Sequence, residues 1–160
     1  MPGKLAVEIR QTKPFDAIEE EALLNIIRTA EVLGQHMAGF LRDFQLSQTQ
    51  YNVLRILRGA GEAGATCSQI GDRMINHDPD ITRLLDRLES RGLIARERSK
   101  EDRRVVITRI SPEGLALVGS IDEPLRRHVR ERMGGIGRAD MERLIGQLEQ
   151  VRELFRHSTK

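Results

Sequence analysis

Aromatic residues, cysteine and long apolar runs are all scarce in this chain. Among 160 residues there is no tryptophan, and phenylalanine and tyrosine together number five. Branched aliphatics must therefore fill the core, and broad stacking platforms for single-stranded nucleic acid are missing. One cysteine, Cys67, excludes an internal disulfide framework and fits a reducing compartment. No window approaches the ~18 apolar residues of a membrane span. Met1-Pro2-Gly3-Lys4 leads into no signal-peptide pattern, so the expected location is cytoplasmic. The four histidines (36, 77, 128 and 157) show no ligand spacing, and neither a metal site nor a cofactor is expected.

Charge is plentiful but unevenly placed. From Arg83 to Arg109 there are nine basic and five acidic residues, a surplus larger than the whole-chain net charge of +2. The remainder is therefore net acidic, and a local basic patch favours a polyanion at one face. Residues 1–14 alternate weakly through Leu5, Val7 and Ile9 and read as an arm or a short strand. Ile18, Ala22, Ile26, Ala30, Leu33, Met37, Leu41 and Phe44 recur at helical spacing over residues 15–45. Ser47 with Gln50 and Thr66 with Gln69 are two capping boxes, each opening a short helix. Asp78 and Pro79 suit the cap and first position of a further helix, Pro79 to Arg91, which Gly92 stops.

Two strands, Leu93–Arg98 and Arg104–Ile110, flank the charged turn Ser99-Lys100-Glu101-Asp102-Arg103. Ser111-Pro112 starts another helix, which Pro124 should kink or interrupt, and Gly134-Gly135-Ile136-Gly137 breaks the pattern. Met141, Leu144, Leu148, Val151 and Phe155 then form a short coiled-coil seam. The fold class is mainly α with a small β-hairpin wing. It reads as a winged helix-turn-helix over residues 46–110, with helical dimerisation segments at 15–45 and 111–157, all in one continuous domain.

The helix from Pro79 carries Ile81, Leu84, Leu85 and Leu88 on one face. Pro79, Thr82, Arg83, Asp86, Arg87 and Ser90 lie on the other. Thr82 suits a thymine methyl or an acceptor, and Arg83 suits guanine O6 and N7. Arg87, a turn later, suits a phosphate or a second base, and Asp86 suits a role orienting Arg83 or Arg87. Asp80 either favours the positive helix end or accepts from cytosine N4. In the hairpin, Asp102 and Arg104 are two residues apart, which on a strand puts both on one face, the carboxylate holding the guanidinium extended. Ser68 and Gln69, beside Thr66, suit a phosphate, although capping explains Thr66 and Gln69 equally well. Simple solvated faces and a plain charged turn are the alternatives. Gly59-Ala60-Gly61-Glu62-Ala63-Gly64 matches G-x-G-x-x-G, but it follows a capped helix and no strand–helix alternation follows it, so a nucleotide site is not expected.

In order and spacing, these motifs resemble the MarR family of bacterial transcription regulators (multiple antibiotic resistance regulators). The resemblance spans residues 15–157. Its carriers are Tyr51-Asn52-Val53-Leu54-Arg55-Ile56-Leu57, Ile81–Glu89, Arg91-Gly92-Leu93-Ile94, Asp102-Arg103-Arg104 and Ser111-Pro112-Glu113-Gly114. It implies a homodimer paired through its first and last helices, with Ile18 and the Met141–Phe155 seam at the interface. It implies binding to a pseudo-palindromic double-stranded DNA operator, with Arg104 in the minor groove and Lys100 and Arg103 on phosphates. It further implies a repressor, not an enzyme, released by a small aromatic or phenolic effector, with His36, Met37, Phe40, Tyr51 and Arg55 lining the pocket. The chain departs from the family pattern at Asn76-His77-Asp78-Pro79-Asp80. A protein–protein adaptor on the same scaffold and a redox-sensing regulator acting through Cys67 are the competing functions; at the first turn of a helix a thiolate is stabilised.

Overall fold

The computed structural model describes residues 4–76 and 80–156. Helix α1 spans Lys4–Glu8 and α2 Ile18–Arg42. The N-terminal alternation thus resolves as a five-residue helix, because Leu5 and Ala6 are buried and Glu8 pairs with Arg28 of α2 at 3.6 Å. Helix α2 is 25 residues long, about 37 Å at the usual rise. The turn after Arg42 carries Gln45, a non-glycine residue in the left-handed region (φ 55°). There the Leu46 amide donates back to Leu41 and the Gln45 amide to Arg42.

Helices α3 (Gln48–Ala60) and α4 (Cys67–Arg73) open on the two expected capping boxes. Both reciprocal bonds form in each, at 2.9 and 3.1 Å for Ser47–Gln50 and 2.9 and 3.2 Å for Thr66–Gln69. Between them, Gly61–Ala63 make one 3-10 turn. The glycine run serves packing here: Gly64 has φ +67°, and a Cβ there would lie 2.6 Å from the Thr108 carbonyl. That close approach lets Ala65 exchange both backbone bonds with Thr108, at 2.9 and 2.8 Å.

Helix α5 spans Ile81–Ser90, where the cap-then-proline pattern suggests a start at Pro79. Its N-cap is Asp80, whose carboxylate accepts from the Arg83 amide at 3.3 Å. The cap assigned to Asp78 is therefore corrected to Asp80. Pro79, with His77 and Asp78, lies outside the described residues. Helix α5 ends in a Schellman turn: Gly92 (φ +69°) donates to Glu89 at 2.8 Å and Leu93 to Leu88 at 3.0 Å.

Strands β1 (Ile94–Arg98) and β2 (Val106–Ile110) pair antiparallel, Ile94 opposite Ile110 and Arg96 opposite Thr108. Both are trimmed relative to the sequence reading, and Arg104 falls in the turn. Leu41, Val53, Leu54, Leu57, Ile70, Leu88 and Val118 are fully buried and mark the core.

Helix α6 covers Pro112–Met133, begun by Ser111, whose hydroxyl accepts from the Gly114 amide at 3.0 Å. Pro124 sits inside it without interrupting it. Helix α7 is Arg138–Arg156. The chain divides into two compact units, one up to Val118 and one from Gly119 on. This divide falls inside α6. At the α6–α7 turn the second unit carries an apolar cleft of about 550 Å³ lined by Val129, Met133, Ile136 and Met141. Among the described residues, no helix is long and apolar enough to cross a membrane.

Candidate nucleic-acid interface

Leu84, Leu85 and Leu88 bury one side of α5. Thr82, Arg83, Asp86, Arg87 and Ser90 are consequently left exposed on the other. Arg83 Nε lies 3.2 Å from Asp80 Oδ2, so one carboxylate both caps the helix and holds the guanidinium. Asp80 thus acts in this structure as a cap and as a partner for Arg83. Arg83 and Arg87 line a polar cleft of about 380 Å³ with Ser47, Thr49, Gln50 and Asp80. The Ser90 hydroxyl donates to the Arg87 carbonyl at 2.9 Å and is spent within the helix.

Asp86 does not serve Arg83 or Arg87. Its Oδ1 accepts from Arg96 Nη2 at 2.5 Å. The same nitrogen reaches Glu89 Oε2 at 2.5 Å, and Arg96 Nε reaches it at 2.9 Å. Glu89 Oε1 accepts from the Arg96 amide at 3.2 Å. The guanidinium holds the Glu89 carboxyl below its ordinary range, and the two carboxylates hold Arg96 above its own. Sequence reasoning passed over Arg96. Its signal was the strand period: Arg96 shares a face with buried Ile94, and a charge on an inward face needs a partner.

The wing tip is built by two short side chains. Ser99 Oγ accepts from the amides of Glu101 and Asp102, at 3.2 and 3.5 Å. Asp102 Oδ1 accepts from the Arg104 amide at 2.9 Å, an Asx turn. The expected grip of Asp102 on the Arg104 guanidinium is thus replaced by a grip on its backbone, because residue 104 is in a turn and the strand argument does not apply. Lys100, Asp102, Arg103 and Arg104 are all exposed. The hairpin base is tied by Arg109, which pairs with Glu97 and donates to the Glu62 carbonyl at 2.5 Å. Arg91 Nη1 donates to the Gln45 carbonyl at 2.7 Å, joining the end of α5 to the α2–α3 turn.

Ser68 and Gln69 are exposed on α4, and the Gln69 carbonyl oxygen is engaged by the Thr66 amide. Cys67 is exposed and lines a cleft of about 200 Å³ with Thr82, Leu85, Arg96, Val106 and Thr108. Of the five expected pocket residues, Tyr51 is buried with the Arg55 guanidinium 5.8 Å from its ring centre. Phe40 stacks obliquely on Phe44 at 5.5 Å, Met37 is half-buried and His36 is exposed. Among the described residues these five do not line the clefts of about 550, 200 and 380 Å³, nor a further one of about 690 Å³ formed by Ala6, residues 11–18 and Glu21. In the expected dimer seam, Met141, Leu148 and Val151 are half-buried, while Ile18, Leu144 and Phe155 are exposed.

Comparison with known proteins follows the same lines. A model of the MarR family matches residues 46–106, from the turn before α3 to the start of β2. The HTH-type transcriptional repressor IacR of Pseudomonas putida is 31% identical over 117 residues, spanning 73% of this chain and 69% of IacR. A MarR transcription factor from Planctomyces limnophilus has a crystal structure similar to this one. Its TM-score is 0.65 at 38% identity, over 85% of this chain and 98% of that one. The MepR–DNA complex of S. aureus shares the fold, with a TM-score of 0.73 at 17% identity, over 87% of this chain and 99% of that one. With a helix-turn-helix, a wing and this degree of identity, the chain belongs to the MarR family and is a transcription regulator, not an enzyme.

Proposed function

We propose that the chain is a homodimeric, sequence-specific double-stranded DNA-binding repressor acting in the cytoplasm on a pseudo-palindromic operator. The observation that carries this is the shared exposure of two basic surfaces on one unit: the Thr82–Arg83–Arg87 face of α5 and the Lys100–Arg104 wing tip. Neither surface is spent on the core. A helix face of this kind suits major-groove base edges, and an arginine held at a wing tip suits a narrow minor groove. Asp86 takes no part in base reading in this scheme, since Arg96 engages it. The one guanidinium offsets one of the two negative charges, Asp86 and Glu89, on a surface that must approach phosphates. MepR, solved in complex with DNA, supports the reading by analogy of fold.

The homodimer is supported by apolar side chains left open to water. On α7, Leu144, Ile145, Leu154 and Phe155 are exposed, and on α2, Ile18, Leu23, Ile27, Val32 and Leu33. A small aromatic effector is part of the proposal through the family resemblance, with Tyr51 and Arg55 as an aromatic–cation pair among the residues proposed to line its site. The test starts from duplexes selected out of random DNA. Fluorescence anisotropy should then show tight, salt-dependent binding, which Arg104→Ala weakens by roughly tenfold or more with the fold unchanged. Equal affinity of wild type and Arg104→Ala would remove the wing from the mechanism. Salt-independent failure to hold any duplex would favour the adaptor.

A further inference from the structure

Arg96 lies on the face of β1 that turns toward α5, with about a quarter of its side chain exposed. Three hydrogen bonds run from its guanidinium to carboxylates a turn apart on α5, and its amide adds a fourth. Glu89 is held at both oxygens, one by the side chain and one by the backbone of the same residue. The fixed point on the strand is therefore both a main-chain and a side-chain one.

We propose that Arg96 is a positioning residue that sets the angle between the recognition helix and the wing, so that base contacts from α5 and the minor-groove contact of Arg104 are made together. The proposal rests on the DNA-binding reading above. The hairpin leaves α5 through the three-residue turn Arg91-Gly92-Leu93; β2 is held at its base by Ala65 and by the Glu62 carbonyl, Arg96 holds β1 opposite Thr108, and beyond that level the tip residues are exposed. From Arg96 to the turn is about four residues, or ~13 Å of strand. A tilt of about 10° at the clamp would move the tip by ~2 Å, enough to break a hydrogen bond. A planar guanidinium spans two carboxylates at once and fixes the direction of the strand. A lysine at this site would keep the charge as a single point and lose the fork. Asp86 and Glu89 hold one nitrogen from two positions of the helix, so rotation of β1 about either contact alone is blocked.

A purely electrostatic role makes a different demand. Removing Arg96 would expose two carboxylates near DNA, and that cost would be independent of the wing tip. Arg96→Lys keeps the charge, so the discriminating measurement is a double-mutant cycle on the selected operator, with Arg96→Lys and Arg104→Ala alone and combined. Arg96→Lys should weaken binding about tenfold when Arg104 is present and less than about twofold when it is absent. Circular dichroism should show the same folded state in all four proteins. Equal factors in the two backgrounds, or no effect of Arg96→Lys, would overturn the positioning role. If Arg96→Lys fails to fold, Glu89→Gln replaces it in the cycle. It should show coupling of the same sign and smaller size, and additivity there would overturn the proposal equally. Wild-type protein that captures no duplex would instead overturn the DNA-binding reading, and this proposal with it.

Discussion

Helices α3 and α5 use their apolar residues differently from α2 and α7. Helix α3 has 13 residues and buries five, and α5 has ten and buries three. Helix α2 has 25 residues and buries only Leu41, while α7, with 19, buries none. All four sequences carry apolar residues at helical spacing, but these are segregated to one face more sharply in α3 and α5 than in α2 and α7. Helix α5 is held by its own chain, with leucines on one side that leave the charged side open. The long helices leave apolar surface of the kind a second copy would cover.

The contrast can be broken from its strongest side first. Leu88 is fully buried, and Leu88→Ala should cost about 3 kcal/mol in urea unfolding, at any protein concentration. The exposed Leu144 should behave otherwise: Leu144→Ala should change stability chiefly through its dependence on protein concentration. If both variants lose stability equally and independently of concentration, the two classes of helix are not distinct. Next in size is Gly64→Ala. It places a Cβ at positive φ and 2.6 Å from a backbone oxygen, and should cost about 2 kcal/mol in the same assay.

The smallest effect expected is on pH. Glu89 titrates below its ordinary value of 4.5, so its contribution is complete above that pH and is lost as pH falls through the lower folded value. Acid unfolding of wild type below pH 4.5 should therefore be steeper than that of Glu89→Gln. Identical slopes would show that the Arg96 clamp adds nothing to stability.

What was legible in the sequence was mostly local. Capping boxes at Ser47 and Thr66, the stop at Gly92, the Ser111-Pro112 start and the break after Met133 all appear where the sequence places them. Each is decided by bonds within a few residues. The exposed face of α5 and the charged wing were legible for the same reason, since one period of apolar residues defines the other side.

The misses have non-local or competing causes. Leu5, Val7 and Ile9 alternate like a strand, but docking on α2 selects a helix that buries Leu5 and Ala6. Asp78 and Asp80 are both good caps with a proline between them, and only the helix start shows that Asp80 is used. The partner of Asp86 is ten residues away, on a strand, beyond any helical spacing rule. Strand spacing puts Asp102 beside the Arg104 side chain, but the strand starts two residues later, at Val106. In the actual turn the same carboxylate fixes the backbone instead.

The central claim is that a self-supporting reading unit is paired with a second copy through the long helices. Hydroxyl-radical footprinting on the selected operator tests it most directly. Wild type should protect two half-sites whose centres are about one helical turn, 10–10.5 base pairs, apart, or a multiple of that. Leu144→Glu combined with Leu148→Glu should protect one half-site weakly while circular dichroism stays unchanged. A single protected half-site for wild type, or two undiminished half-sites for the α7 variant, would contradict it.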